Sequence, residues 1–523
     1  MALPLAVLVP IAGGVLAPLL ARWSARLALA VAVLASAASG VVLALAGRTG
    51  PTYLGGWGPV IGIEYVADRF GFTVALAASV VGTLALLATL SGMQELGRRE
   101  LGGYACLSLL LIAAVIAAAL TADLLHLFVW FEVAGLASYA LTGFFLERPH
   151  ALEATFKIIV LTSIAGFFIF IGTALLYQAH AVVNLPQLQR AFAARPSVLD
   201  AAAVALLLAG FATKAGLIPF CGWLPDAHTA APGPISALFS GMMVNLGVVG
   251  IVRVTAAAPH LPTSGVLTVV GCASALFGAF AAAVQEDLKR LLAYDTISQI
   301  GIVTAGLAVS RDAALYHLVS HALFKALLFL VAGAIVHTTG ATQLAELAGT
   351  GRRSPALALL FIVGVAAIAG VPPLNGYVSL GLLHAALRSS HQTVALTAVL
   401  VAQVATVAAL TRAVRAMWAR TQDPQFARDE RLRPGMAVAL GTLALACVAT
   451  GVATPVAFDW ADPVELLFTG VTVAAGIALA SMVSPRAPRL RDRLAVVATG
   501  SVNDYALYLS AGLIVVFAAV RLG

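Results

Sequence analysis

Residues 313–337 read AALYHLVSHALFKALLFLVAGAIVH, and the reading of this stretch decides the fold. It is a run of 25 residues, apolar enough and long enough to cross a hydrocarbon core as a helix. Within it His317, His321 and Lys325 fall at i, i+4 and i+8. That spacing sets them on one helical face, each about 6 Å from the next along the axis. Histidine titrates near neutrality and a buried lysine can lose its proton, so the row suits a water-bridged proton relay. Two other readings stand beside it: satisfied core histidines, and a metal site on His317 and His321. The metal site lacks a third ligand, and Lys325 would repel a cation.

Working outward, such stretches recur along all 523 residues, of which 61% are hydrophobic and only 10% charged. Sixteen spans are expected: 2–20, 25–46, 70–92, 101–120, 123–146, 153–178, 199–220, 233–256, 262–283, 288–309, 313–337, 355–387, 393–416, 434–455, 463–484 and 501–521. The last two are the weakest. The chain is therefore expected to be all-α and multipass, with about 14–16 transmembrane helices. No stretch resembles a soluble catalytic domain, and the start Met1–Val7 lacks the basic region of a cleavable leader. With the N-terminus outside, twenty basic residues fall on the inner side, among them Arg98, Arg99, Arg148, Arg428, Arg431, Arg486, Arg489, Arg491 and Arg493, and eight fall on the outer side. The positive-inside rule supports that orientation. Topology thus accounts for the net charge of +7, and no nucleic-acid partner is implied. Cys106, Cys221, Cys272 and Cys447 are scattered singly, without metal-ligand spacing. Neither a metal nor a cofactor is expected.

Lysine usage is the sharpest signal. Of 30 basic residues 26 are arginine, and the four lysines, Lys157, Lys214, Lys289 and Lys325, lie in or at the edges of apolar spans. Arginine stays charged in any environment, whereas lysine can release its proton. A charge at the bilayer centre costs roughly 3 kcal/mol on insertion scales, so each such lysine requires a use or a partner. Glu132, in the middle of the fifth span, is the natural counter-charge for Lys214 if those spans pack together; a static ion pair is the competing reading. Asp295 is a further acidic residue in an apolar span, open to local pairing or to function.

Two spans carry the same disruption. Lys214–Pro219 (KAGLIP) aligns with Ile368–Pro373 (IAGVPP) at an offset of 154 residues, and Ala154–Lys157 with Ala322–Lys325 at an offset of 168. Pro219, Pro372 and Pro373 are expected to break the seventh and twelfth helices, the second of which would otherwise run about 50 Å. A plain proline kink is the alternative. The offsets divide the chain into 1–100, a first five-helix repeat at 101–256, a second at 262–416 and a C-terminal part at 434–523. An odd number of helices per repeat inverts the second copy in the membrane.

Five blocks now stand in order: LLHLFVWFEVAGLASYAL (124–141), KAGLIPFCGWLPDAHTAAPGPISAL (214–238), QEDLKRLLAYDTISQIG (285–301), HLVSHALFKALLFLVAGAIVH (317–337) and GVPPLNGYVS (370–379). Over residues 60–420 the sequence resembles the antiporter-like membrane subunits shared by respiratory complex I, Mrp-type cation/proton antiporters and membrane-bound hydrogenases. The resemblance implies proton translocation, with sodium as an alternative or exchanged ion, in a bacterial cytoplasmic membrane and alongside other membrane subunits that supply the driving force. It implies that Glu132 and Lys214 form the pair of a first half-channel, with Lys289, His317, His321 and Lys325 on the connecting and second half-channel path. The chain departs from the pattern at Ser240 and Asn245 on the eighth helix, at Leu380 on the twelfth, and at Cys221. Asp295, His384, Asn245 and Lys157 are the candidates to compensate. The alternatives are a non-conducting structural or coupling subunit and, further off, a stand-alone secondary transporter.

Overall fold

The computed structural model describes residues 2–59, 61–92, 97–145, 147, 149–195, 197–420, 432–454, 457–482 and 500–522. Of the basic residues assigned to the inner side, Arg148, Arg428, Arg431, Arg486, Arg489, Arg491 and Arg493 lie outside the described residues. The chain divides into two compact units. One comprises Met1–Trp223, Met242–Leu267 and Gly500–Gly523, and the other Leu224–Gly241 and Thr268–Thr499.

The first unit opens with α1 (Ala2–Ala21) and α2 (Ala25–Ala46). A small hairpin follows, pairing Thr52–Tyr53 with Glu64–Tyr65. Then come α3 (Arg69–Gly92), α4 (Arg98–Leu120), α5 (Leu124–Thr142), α6 (Pro149–His180), the short α7 (Leu185–Ala194) and α8 (Asp200–Ala215). The short helices α9 (Leu224–Ala230) and α10 (Gly233–Leu238) belong to the second unit. A π-helical turn at Phe239–Met243 leads from α10 into α11 (Val244–Ala257), which returns to the first unit.

The second unit continues with α12 (Thr263–Ala283, from Thr268 on), α13 (Leu288–Leu307), α14 (Arg311–Thr339), α15 (Thr350–Arg353), α16 (Pro355–Ile368), α17 (Asn375–Ser389), α18 (Thr393–Trp418), α19 (Pro434–Val452) and α20 (Pro463–Met482). The last helix, α21 (Val502–Leu522), packs on α8 in the first unit. In the second unit α14 is central and touches α10, α13, α16, α17 and α19.

Local chemistry explains where these helices begin. The side chains of Ser24, Asp123, Asp287 and Ser310 each accept from the backbone N–H three residues on, relieving an unpaired donor at a helix start. Inside the apolar helices, Thr162, Thr173, Thr213 and Thr304 turn their hydroxyls back to the carbonyl four residues earlier. A hydroxyl at membrane depth has no water to bond, so this is how it is satisfied. Peripheral helices leave large apolar side chains uncovered, as at Leu445 (67%) and Ile514 (67%). That is how a lipid-facing surface is built.

Thirteen helices among the described residues are long and apolar enough to cross a membrane. They correspond to thirteen of the sixteen expected spans. The other three are α8, only 16 residues long; α13, which carries Lys289, Arg290 and Asp295; and α16 with α17, two pieces in place of one long helix. The protein is a multipass, all-α integral membrane protein.

The two breaks match in detail. After α8, Gly216 takes a left-handed conformation (φ 72°), Leu217 N–H donates to the Ala212 carbonyl and Phe220 N–H to that of Leu217. After α16, Gly370 has the same φ, Val371 N–H donates to Ala366 and Leu374 N–H to Val371. Every position is offset by the 154 residues seen in the sequence. Pro219 and Pro373 occupy equivalent sites, each following a cis peptide bond, with Pro372 just before the second.

Candidate functional site

In the first unit, Lys214 sits in the last turn of α8 and is completely buried. Its Nζ has no hydrogen-bond partner among the described residues and stands 5.0 Å from the centre of the Phe131 ring on α5. Glu132, the next residue on α5, faces Lys214 closely enough for their charges to interact, yet no direct ion pair forms between them. The carboxylate leans instead on Gly166 of α6, where an added Cβ would stand 2.0 Å from Oε1. The expected charge partners are therefore neighbours across a gap and not a closed salt bridge. Asn245 is buried in α11, and two residues beyond it Gly247 lies against the backbone of Phe211 and Ala215, the turn that carries Lys214. Lys157 is buried in α6 and pairs with Glu153 one turn earlier at 2.6 Å.

In the second unit, Lys325 forms a direct ion pair with Asp295, Nζ to Oδ2 at 2.5 Å, with both side chains wholly buried. Lys325 also donates to the Leu292 carbonyl at 2.8 Å, and Asp295 Oδ1 accepts from the Thr406 hydroxyl of α18 at 3.2 Å. Asp295, one of the compensating candidates, is thus the counter-charge of the central lysine. Thr296 carries its hydroxyl to Ser240, 2.9 Å away, inside the π-helical turn. One turn before Lys325 on α14 is His321, fully buried, with neither ring nitrogen hydrogen-bonded to a described residue. His228 on α9 is in the same condition and stacks on Phe329 at 4.6 Å. Lys325, His317 and His228 all stand near enough for a charge on any of them to act on His321. Lys289 stands near enough to His228 for its charge to act there. From the first turn of α13 it donates to the Thr229 and Ala231 carbonyls at the end of α9, where a cation complements the unpaired carbonyls of a helix C-terminus.

His317 is held from both sides, Nδ1 by the Ser379 hydroxyl of α17 (2.9 Å) and Nε2 by the Gln299 side chain of α13 (3.2 Å). Leu380, next to Ser379, is buried in an apolar cluster. One turn further along α17, His384 Nδ1 lies 2.9 Å from Glu465 Oε2 and 3.1 Å from Oε1, and Gln403 Nε2 lies 3.0 Å from His384 Nε2. Beyond these, at the end of α17, Arg388 pairs with Asp462 at 3.1 Å. The Val464 N–H and the Arg388 guanidinium hold the Asp462 carboxyl below the ordinary carboxylate range.

All of these side chains except Asp462 and Glu465 fall within residues 121–406, and that segment matches the family described as NADH:quinone oxidoreductase/Mrp antiporter, transmembrane. The chain belongs to this family. The N subunit of the NADH-quinone oxidoreductase of Desulforudis audaxviator is 33% identical over 395 residues, covering 72% of this chain and 78% of that protein. The D-type component of the Na+/H+ antiporter of Alkalihalophilus pseudofirmus is 33% identical over 335 residues, covering 62% and 67%. Among solved structures, a chain of the membrane-bound sulfane sulfur reductase, an archaeal respiratory membrane complex, superposes with a TM-score of 0.79 at 26% identity. It covers 92% of this chain and 99% of that one.

Three polar side chains of these clusters escape a reading of the sequence alone. His228 falls in the PDAHTAAPGP stretch between two spans, where no membrane helix is expected. Gln403 is a neutral amide in an apolar run, a signal too common to select. Glu465 lies in α20, outside the matched segment and in one of the two weakest spans.

Proposed function

We propose that the protein is a proton-translocating membrane subunit that works in assembly with other membrane subunits, and that its two units hold one set of proton-carrying side chains each. In the first unit the set is Glu132 and Lys214, with Asn245 on the adjoining helix α11. In the second it is the Lys325–Asp295 pair with Lys289, His321, His317, His228 and His384. The observation that carries this reading is Lys214: a lysine placed at the end of a broken membrane helix, fully buried and without a hydrogen bond to any described residue. A structural lysine at that depth would be saturated by acceptors, because an unpaired buried charge is costly. A lysine that exchanges its proton has to be free of such bonds for part of its cycle.

The breaks at Pro219 and Pro373 lie inside two equivalent repeats, for which we keep the boundaries 101–256 and 262–416. The N-terminus faces outside and the membrane is a bacterial cytoplasmic one; the lipid bilayer itself solvates the exposed apolar faces. The transported ion is H+, with Na+ as a coupled or exchanged ion in the manner that the name of the antiporter relative describes. The driving force comes from partner subunits.

The competing reading is a non-conducting coupling subunit, favoured by the apolar Leu380. Proton uptake into vesicles containing the purified assembly separates the two. Glu132→Gln and Lys214→Ala should each reduce uptake to the background of empty vesicles while leaving assembly unchanged. Uptake at the unaltered rate in both variants would reject the reading.

A further inference from the structure

We propose that Glu465 of α20, together with His384 of α17, is the terminal proton-exchanging site of the second unit. The inference rests on the proposed proton-translocating function and adds to it a residue that lies outside the segment matched by the family.

The geometry points to a site and not to a structural contact. Glu465 and His384 are each 1% exposed. The carboxylate receives both of its close contacts from one imidazole nitrogen, Nδ1. The Gln403 amide donates to Nε2, so in the neutral ring the proton sits on Nδ1 and is directed at Glu465. Among the described residues no arginine or lysine pairs with this carboxylate. A buried carboxylate held by a single imidazole is expensive as a mere fastening, since an apolar contact would serve the packing without the desolvation.

The surroundings connect this site in both directions. Toward solvent, Glu465 is three residues from Asp462 and His384 is four from Arg388. Those two residues pair with each other at the end of the helices, with side chains 28% and 32% exposed. Toward the interior, Gln403 is followed one turn later on α18 by Thr406, which donates to Asp295, the partner of Lys325. Residues three apart on a helix stand about 5–6 Å apart at Cβ. Hydrogen bonds thus join Lys325, Asp295 and Thr406, and likewise Gln403, His384 and Glu465, and the two groups stand one turn apart on α18, all within the second unit. The other titratable groups near the site are Tyr377, whose hydroxyl donates to the Trp460 carbonyl, and His317, close enough for a charge on His384 to act on it.

The proton balance closes. A proton arriving at His384 Nε2, once the Gln403 amide turns away, makes an imidazolium. Release of the Nδ1 proton to Glu465 leaves a neutral ring protonated at Nε2 and a neutral carboxyl. The carboxyl then gives its proton to solvent at the Arg388–Asp462 end, and the ring resets by exchanging its tautomer.

The test uses the purified assembly in vesicles, comparing unaltered protein with Glu465→Gln, Glu465→Asp, His384→Asn and Lys214→Ala. Glu465→Gln keeps the shape and a hydrogen bond to the ring but cannot exchange a proton. Proton uptake should fall by about 100-fold in Glu465→Gln and His384→Asn, the lower end of what a positioned acid–base group contributes, and recover substantially in Glu465→Asp. Infrared difference spectra recorded across a pH jump should lose a protonated-carboxyl band in Glu465→Gln and keep it in the exposed-site control Asp459→Asn. Uptake within twofold of the unaltered protein in Glu465→Gln, or loss of uptake only in proportion to lost assembly with the band retained, would overturn the proposal. If Glu465→Gln is unaffected while Lys214→Ala is inactive, this site is refuted and the proposed function stands. If Lys214→Ala is also fully active, the proposed function itself has failed.

Discussion

Lys214 and Lys325 occupy opposite states of the same chemistry. Lys325 is closed onto Asp295, whereas Lys214 faces Glu132 without touching it. Breaking a buried pair by removing one partner costs about 3–5 kcal/mol, because the other charge is stranded, while replacing both by apolar groups is often neutral. Asp295→Asn alone should therefore lower the melting temperature of the purified assembly markedly. The double variant Lys325→Met, Asp295→Leu should restore the melting temperature without restoring proton uptake. A double variant that pumps would make the pair a fastening.

Gly166 supplies a second expectation at this scale. Because a methyl group there would collide with Glu132, Gly166→Ala should displace the carboxylate and impair uptake about as severely as Glu132→Gln. Normal uptake in that variant would remove Glu132 from the path. The lysines, Glu132 and the histidine row were legible in sequence because a charge in a long apolar run stands out from its background. Glu465 and His228 were not. One lies in one of the two weakest expected spans, and the other in a segment whose helical turn is too short to leave a periodic trace.

At the scale of the element, the matched breaks are the clearest feature. A residue with a Cβ is disfavoured in the left-handed region by roughly 1–2 kcal/mol, so Gly216→Ala and Gly370→Ala should each destabilise by about that amount. Both glycines hold the same φ, and their substitution should lower the melting temperature to a similar extent. A loss at one site only would contradict the equivalence of the two breaks. The breaks were readable because Gly and Pro have backbone preferences that survive without any tertiary context. The π-helical turn at Phe239–Met243 has no such signature, since FSGMM has no proline and only one glycine within an apolar run. The expected length of the seventh span also failed for a physical reason: hydropathy continues through Leu217 and Ile218 although the helix stops at Ala215.

For the whole molecule, composition alone carried the membrane assignment, because apolar runs of this length have no other use. What a single sequence does not encode is company. Affinity purification of the tagged chain in mild detergent should recover further membrane subunits at fixed ratio; recovery of the chain alone, monodisperse, would instead support a stand-alone transporter. The most direct test of the central claim, that protons cross through the buried side chains of this chain, is the proton current driven by an imposed membrane potential across vesicles containing the purified assembly. It should be recorded for unaltered protein and for the variant Lys214→Ala, Lys325→Ala. The account predicts a current in the first and none above empty vesicles in the second, at equal amounts of assembled protein. Equal currents in both would contradict it.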